Sequence, residues 1–433
     1  MALGLSCVLL WEARIDEFGN PGLAPVWNQE FSFQAIDPQM DQLHVKVKNT
    51  GFTSSTLIGE SASLSTCFST VDSQGSFLYR RTAPQHLTLV AAKSDVPEIP
   101  YDRVTEAFGV ENWPHLLHSL EDGDEVLKKR VLLAMSTVFK LPQDLIMCLK
   151  IGVLEHIEQG ILDENQEIRE LSALVLSVIL ESPLGRSHLM TTEMPAHILP
   201  VLQSSTHPAT MLHLYNALLS LSRVFTSAQL LTKHGYLTVV VTHLKRSLSD
   251  ELRLRVLQLL KNLVNDGIEG TVFKAIELDS LDLCAKYLYD ANAEISAAAC
   301  DTIAALGYVE KAKKIAVERG AVKKLCTLLT ESQWQIVAAS TGALMCLAVN
   351  DDAKRVMVAS EALHTINQLL QSSKYIVQLN TVKLVSIVAS YPPARRQLNV
   401  SSTEYHLRSL MGDSDAVLAK SAKIALRAVQ WQP

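Results

Sequence analysis

The sequence predicts a mainly α-helical solenoid of about eight stacked repeats, preceded by a small all-β module. Two observations carry that prediction. From Asn112 to the C-terminus a helical pattern recurs about every 41 residues, the signature of a repeat array. Over residues 1–95 the pattern instead alternates apolar and polar residues between turn-formers, as half-buried strands do. The expected division is residues 1–95 as the β module, 96–111 as a linker and 112–433 as the solenoid. The linker region contains the proline-bearing stretch KSDVPEIPYDRV at 93–104.

Each repeat shows a shorter and a longer helix. GVLEHIEQGI at 152, GYLTVVVTHL at 235, SLDLCAKYLY at 280, GAVKKLCTLL at 320 and EALHTINQLL at 361 are copies of the shorter one, with a weaker copy, MPAHILPVLQ, at 194. The longer one recurs as QEIRELSALVLSVIL, ATMLHLYNALLSLS, ELRLRVLQLLKNLV, AEISAAACDTIAAL, QWQIVAASTGALMCLA, YIVQLNTVKLVSIV and AVLAKSAKIALRAV. Small and aliphatic residues fall at i, i+3, i+4 and i+7, which gives an amphipathic helix a wide buried face. Polar connectors such as LSDE, DANAE and TESQ separate the two helices, and glycine at the head of several repeats suits a sharp turn. A closed helical bundle has no reason to keep a constant period. A stacked array does, because no single unit can bury both of its faces alone.

Composition narrows the function classes. Apolar residues make up 48% and charged residues 19%, which excludes a disordered chain. The net charge of −6 argues against nucleic acid as a partner, since phosphate binding needs a strongly basic face. Seven cysteines are scattered without a C-x-x-C pair, as expected in a reducing compartment, where the Asn-Val-Ser at 399–401 is no glycosylation site. The opening MALGLSCVLLWEARIDE has no basic n-region and no small-residue cleavage site, and reads as a strand rather than a signal peptide. No apolar run approaches a membrane span.

No reactive constellation stands out. H-E-x-x-H, G-x-S-x-G and the phosphate-binding glycine motifs are missing from the sequence. His115 and His118 in HLLH are too few for a zinc site, and EDGDE at 121–125 is too short for a calcium loop. Cys284, Cys300, Cys326 and Cys346 lie on apolar helix faces and read as small buried hydrophobes. No catalytic, cofactor-binding or metal-binding residue is expected, and no cofactor. One surface feature remains: Lys420, Lys423 and Arg427 form a basic stripe on the last helix, with Arg395 and Arg396 in the preceding repeat. A solvated face closing the array and a dock for an acidic partner both fit it.

The short-helix, long-helix units of about 41 residues resemble armadillo repeats, with HEAT repeats as the alternative. The armadillo resemblance implies that the long helices line a concave groove, with asparagine often found near their ends. Aligning the A-L-x-N-L-A-like segments places that position at Thr137, Val178, Ser220, Asn262, Ala305, Cys346, Ser386 and Ala428. Only Asn262 keeps the amide, and no tryptophan lies four residues before any of them. The ladder with which nuclear-import adaptors of this family hold basic peptides is therefore not expected. Asn262 reads first as a satisfied helix polar group. It stands with Ser220, Thr137, Ser386, Arg395, Arg396, Lys420, Lys423 and Arg427 as a candidate partner contact.

Two further resemblances refine the expectation. LAPVWNQEFSFQAIDPQMDQLHVKVKN followed by LIGESASLS is similar to the later strands of a C2 domain, matching at Pro25, Trp27, Asn28, Phe31, Phe33, Ile58 and Gly59. The chain starts where a third C2 strand would be, and the loop KNTGFTSST at 48–56 lacks carboxylates. A partial C2-like sandwich with an unpaired edge, and no calcium-dependent membrane binding, is expected. Residues 127–179, the loop SYPPARRQL at 390–398 and the C-terminal AVLAKSAKIALRAVQWQP resemble the armadillo-repeat radial spoke proteins of motile cilia, the radial spoke head 14 homologues. In the last segment the match rests on Ile424, Ala425, Arg427, Trp431 and Pro433. That resemblance implies a non-catalytic structural subunit of a large hetero-complex in the axoneme of a cilium or flagellum. Its implied partners are other radial spoke proteins and doublet microtubule-associated proteins. The alternative is a soluble cytosolic armadillo adaptor for a peptide or protein.

Overall fold

The computed structural model describes residues 5–12, 32–34, 43–50, 55–62, 77–83, 86–91, 112–266 and 268–432. The chain separates into two units, Met1–Trp113 and Pro114–Pro433.

In the first unit the described backbone forms β1 (Leu5–Glu12), β2 (Ser32–Gln34), β3 (Leu43–Thr50), β4 (Ser55–Ala62), β5 (Phe77–Ala83) and β6 (His86–Ala91). One sheet has the order β1-β3-β4, with β1 parallel and β4 antiparallel to β3 and a register shift between Val47 and Lys48. The other, β2-β6-β5, is antiparallel throughout. Of the C2-like matches, Phe33, Ile58 and Gly59 fall on these strands. Pro25, Trp27, Asn28 and Phe31, residues 51–54 of the loop at 48–56 and the linker lie outside the described residues, while 48–50 and 55–56 belong to β3 and β4.

The helical unit opens with α1 (Asn112–Asp122) and α2 (Glu125–Val138). Seven three-helix layers follow. They are α3 (Pro142–Lys150), α4 (Val153–Ile161) and α5 (Gln166–Glu181); then α6 (Pro183–Leu189), α7 (Met194–Ser204) and α8 (Pro208–Leu221). Next come α9 (Phe225–His234), α10 (Tyr236–Leu244) and α11 (Asp250–Val264), and α12 (Glu269–Glu277), α13 (Ser280–Tyr287) and α14 (Ala293–Leu306). The fifth layer is α15 (Glu310–Glu318), α16 (Ala321–Thr327) and α17 (Trp334–Leu347). The last two are α18 (Asp351–Ala359), α19 (Ala362–Leu369) and α20 (Tyr375–Val388), then α21 (Pro392–Val400), α22 (Thr403–Leu410) and α23 (Ala416–Gln430). The two-helix reading of the sequence captured the second and third helix of each layer and passed over the first. The reason is visible in α21, which buries only Ala394 and Leu398, and in α15, whose buried set is Ala312, Lys313 and Ala316. Such helices lack the apolar periodicity that marks the others.

Two local devices repeat with the layers. The turn from first to second helix is left-handed at Gly152 (φ 85°), Gly235 (φ 98°) and Gly320 (φ 76°), the role expected of those glycines. Asp279 (φ 70°) and Glu361 (φ 54°) make the same turn at the steric cost a side chain brings. Each long helix starts one residue after Asp124, Asn165, His207, Ser249, Asn292, Gln333, Lys374 or Asp415. All of these except Gln333 and Lys374 accept a hydrogen bond from a backbone N–H of the first turn, which satisfies a donor the helix itself cannot. EDGDE thus does what its composition suggested: α1 ends at Asp122 and Asp124 caps α2.

Successive long helices pack on one another from α2 to α23. Between them lies an apolar core in which Leu176, Ile179, Leu214, Val256, Leu260, Ile303, Leu344 and Val385 are all inaccessible to solvent. Each such side chain contributes about 1.5–3 kcal/mol. Polar bonds reaching about one period along the chain tie layer to layer: the Tyr236 hydroxyl donates to the Pro195 carbonyl at 2.6 Å, and that of Tyr287 to Leu244 at 2.9 Å. Among the described residues no helix is long and apolar enough to cross a membrane.

Candidate partner-binding surface

The long helices share one register, and it decides which side chains face which neighbour. Counting from the N-cap, the position thirteen residues on is Thr137, Val178, Ser220, Asn262, Ala305, Cys346 and Ala428, as the sequence alignment placed it. In α20 the same count reaches Ile387, so Ser386 lies one place earlier than its aligned counterparts. The slip arises because the residues around Ser386 are aliphatic on both sides and offer no motif to fix the frame.

These positions do not form a polar ladder. Val178, Ser220 and Ala305 are buried. Thr137 is exposed, and its hydroxyl donates to the Leu133 carbonyl at 3.4 Å. Ser386 donates to Lys383 O at 2.7 Å. Asn262 donates through Nδ2 to Ser222 Oγ of the preceding layer at 2.9 Å. The position therefore looks backward along the array. Asn380 Nδ2 donates to Ala338 O at 3.0 Å and Thr302 Oγ1 to Leu257 O at 3.3 Å, so positions six and ten face the preceding layer too.

Positions five, eight and twelve face forward. Lys129, at five, meets Glu167 of the next long helix at 2.5 Å, and Lys261, at twelve, meets Asp301 at 2.7 Å. The Lys129–Glu167 bond raises the lysine's pKa and lowers that of the carboxylate. At position eight, Ala173, Tyr215, Leu257, Cys300, Thr341 and Val382 have no accessible surface and Leu132 has 1%. In α23 the same three positions are Lys420, Lys423 and Arg427, all exposed. The basic stripe seen in the sequence is thus the forward face of the last layer. Beside it Glu404 is held by Arg408 at 2.7 Å and by Gln430 at 2.6 Å.

The other two basic candidates behave differently from each other. Arg395 is half-buried: its Nη1 donates to Ala389 O at 3.1 Å, and its guanidinium lies 4.7 Å from the centre of the Trp431 ring. That stacking fixes the chain end on the preceding helix. Arg396 is exposed.

Reactive groups are insulated. Burial pushes the Cys284 and Cys326 thiols up to about 12 and raises those of Cys148, Cys300 and Cys346, which keeps them protonated. His243 is 1% exposed, its Nδ1 lies 2.8 Å from the Tyr215 hydroxyl, and burial, with Arg246 nearby, depresses its pKa to about 4. His118 is exposed beside Asp122 at 3.4 Å. No cluster of three potential metal ligands occurs among the described residues.

No family model matches the sequence, and no curated protein is similar to it. Solved structures are similar in fold. The crystal structure of one engineered protein superimposes with a TM-score of 0.68 at 19% identity, covering 75% of this chain and 79% of that one. A second engineered protein gives 0.51 at 21% identity, over 55% of this chain and 96% of that one. A designed armadillo repeat protein gives 0.48 at 23% identity, over 53% and 97%. Three helices per layer, a long third helix and a period of about 41 residues make the helical unit an armadillo-like solenoid.

Proposed function

We propose that this protein is a non-catalytic scaffold that binds other proteins along the flanks of its helical array. The observation that carries the reading is the long-helix register: layer after layer is held by its neighbours, and the side chains left over are spread along an extended surface. Cross-linking of the tagged full chain in cells, followed by mass spectrometry, tests it. Stoichiometric cross-links from several layers to other proteins are expected. A chain cross-linked only to itself would overturn the scaffold reading.

The narrower proposal is a structural subunit of the radial spoke in the axoneme of motile cilia or flagella, in contact with other spoke proteins and doublet microtubule-associated proteins. It rests on the resemblance of residues 127–179, 390–398 and 416–433 to the radial spoke armadillo proteins, with Ile424, Ala425, Arg427, Trp431 and Pro433 at its most specific end. The N-terminal unit is proposed as a separate C2-like docking module joined through residues 96–111, working by strand pairing with a protein rather than by calcium and lipid. Imaging of the tagged protein in a ciliated cell, with salt extraction of isolated axonemes, tests the spoke assignment. Retention with the spokes is expected; a diffuse cytosolic pool would favour the adaptor role and leave the scaffold reading in place.

A further inference from the structure

We infer that the forward face of α23, which no described layer covers, takes an acidic α-helix from a partner protein as one more layer. Three observations meet there. Lys420, Lys423 and Arg427 occupy positions five, eight and twelve, where Lys129 and Lys261 reach the next layer and position eight is sealed in every earlier long helix. Among the described residues none of the three has an ion pair or a side-chain hydrogen bond, and the adjacent Glu404 is engaged by Arg408 and Gln430. The molecule also shows what belongs opposite them. In the earlier long helices the basic residues at positions five and twelve are Lys129 and Lys261. Each pairs with a carboxylate of the next long helix, Glu167 at position two and Asp301 at position nine.

These contacts define the occupant. Positions two and nine are seven residues apart, about two helical turns, so both carboxylates project from one side of a helix. Bonded positions on successive long helices differ by no more than three residues, low positions meeting low and high meeting high, so the added helix runs parallel to α23. It carries Asp or Glu at i and i+7 to meet Lys420 and Arg427. Between them, small or apolar residues cover the gap around Lys423, whose aliphatic stem lies along that surface. The inference needs no spoke protein and stands apart from the ciliary assignment.

The test uses the full chain and a fluorescein-labelled, stapled helical peptide of about 20 residues, a length at which a staple is needed to hold a helix in water. The peptide carries Glu at i and i+7 with Ala and Leu between. Anisotropy titration should give saturable binding, weakened about tenfold by Lys420→Glu with Arg427→Glu and recovered when the peptide's two Glu are changed to Lys. If circular dichroism shows that the double reversal perturbs the fold, Lys420→Gln with Arg427→Gln replaces it and should weaken binding in the same direction. Equal affinity for wild type and variant, equal affinity of the wild type for the Glu and Lys peptides, or no saturation would overturn the inference. Sedimentation showing dimers that depend on Lys420 and Arg427 would also overturn it, by assigning the edge to a second copy of this chain.

Discussion

The layers around α11, α14 and α17 and the layer that ends in α23 have the same three helices and the same register, yet opposite surfaces at one position. Leu257, Cys300 and Thr341 are sealed there; Lys423 is in water. Nothing in the helix itself differs. What differs is whether a described layer covers the position, so burial in this molecule is a property of the neighbour and only secondarily of the residue. The side chain at position eight records whether the chain expects to be covered.

That comparison can be broken most severely at Val382, fully buried on α20, the helix against which α23 packs. Val382→Lys would place an unpaired ammonium between layers and should cost more than about 4 kcal/mol, seen as a large fall in the urea midpoint. The reverse change at the end, Lys423→Val, should move stability by less than about 0.5 kcal/mol and show instead as concentration-dependent association by sedimentation. A tolerated Val382→Lys would mean that the last layer is not firmly stacked.

A smaller effect sharpens the comparison from the buried side. His243 is sealed in the third layer and its pKa in the folded chain lies near 4, against about 6.5 when unfolded. The unfolded chain therefore binds the extra proton first. Stability is complete above the unfolded value and falls as pH drops from about 6.5 towards 4, by about 2–3 kcal/mol. Urea titrations at pH 7.5 and 4.5 should show this slope, and His243→Phe should flatten it.

The finest test concerns the left-handed turn that five of the seven layers share. Gly235 has φ 98° and open space where a Cβ would project, so Gly235→Ala isolates the backbone cost, about 1–2 kcal/mol of destabilisation. Glu361 makes the same turn with a side chain and no ion pair among the described residues; Glu361→Gly should raise the thermal midpoint, by up to about 1 kcal/mol of stability. Opposite signs at two equivalent turns would show that the layers differ in sequence but not in geometry.

Much of this was legible before any coordinates. The period, the second and third helices and the glycine turns all follow from apolar spacing and backbone sterics. The first helices were not legible, because elements such as α21 bury two side chains and leave no stripe to read. Asp279 and Glu361 were invisible as left-handed residues, since neither type announces a positive φ. The basic stripe on α23 was visible as a row of cations. Its meaning was not, because the direction in which a helix position faces depends on the layer beside it. A clue did exist: Lys129 with Glu167 and Lys261 with Asp301 are opposite charges separated by nearly one period.

Among the described residues the long-range polar bonds join only adjacent layers, as Tyr236 with Pro195 and Tyr287 with Leu244 illustrate. A tensile force along the stack would therefore pass through the joints in series, every joint feeling the whole force while the small extensions add. Such a body behaves as a compliant spring whose rupture force is that of its weakest junction, and lengthening it by further layers would soften it without strengthening it.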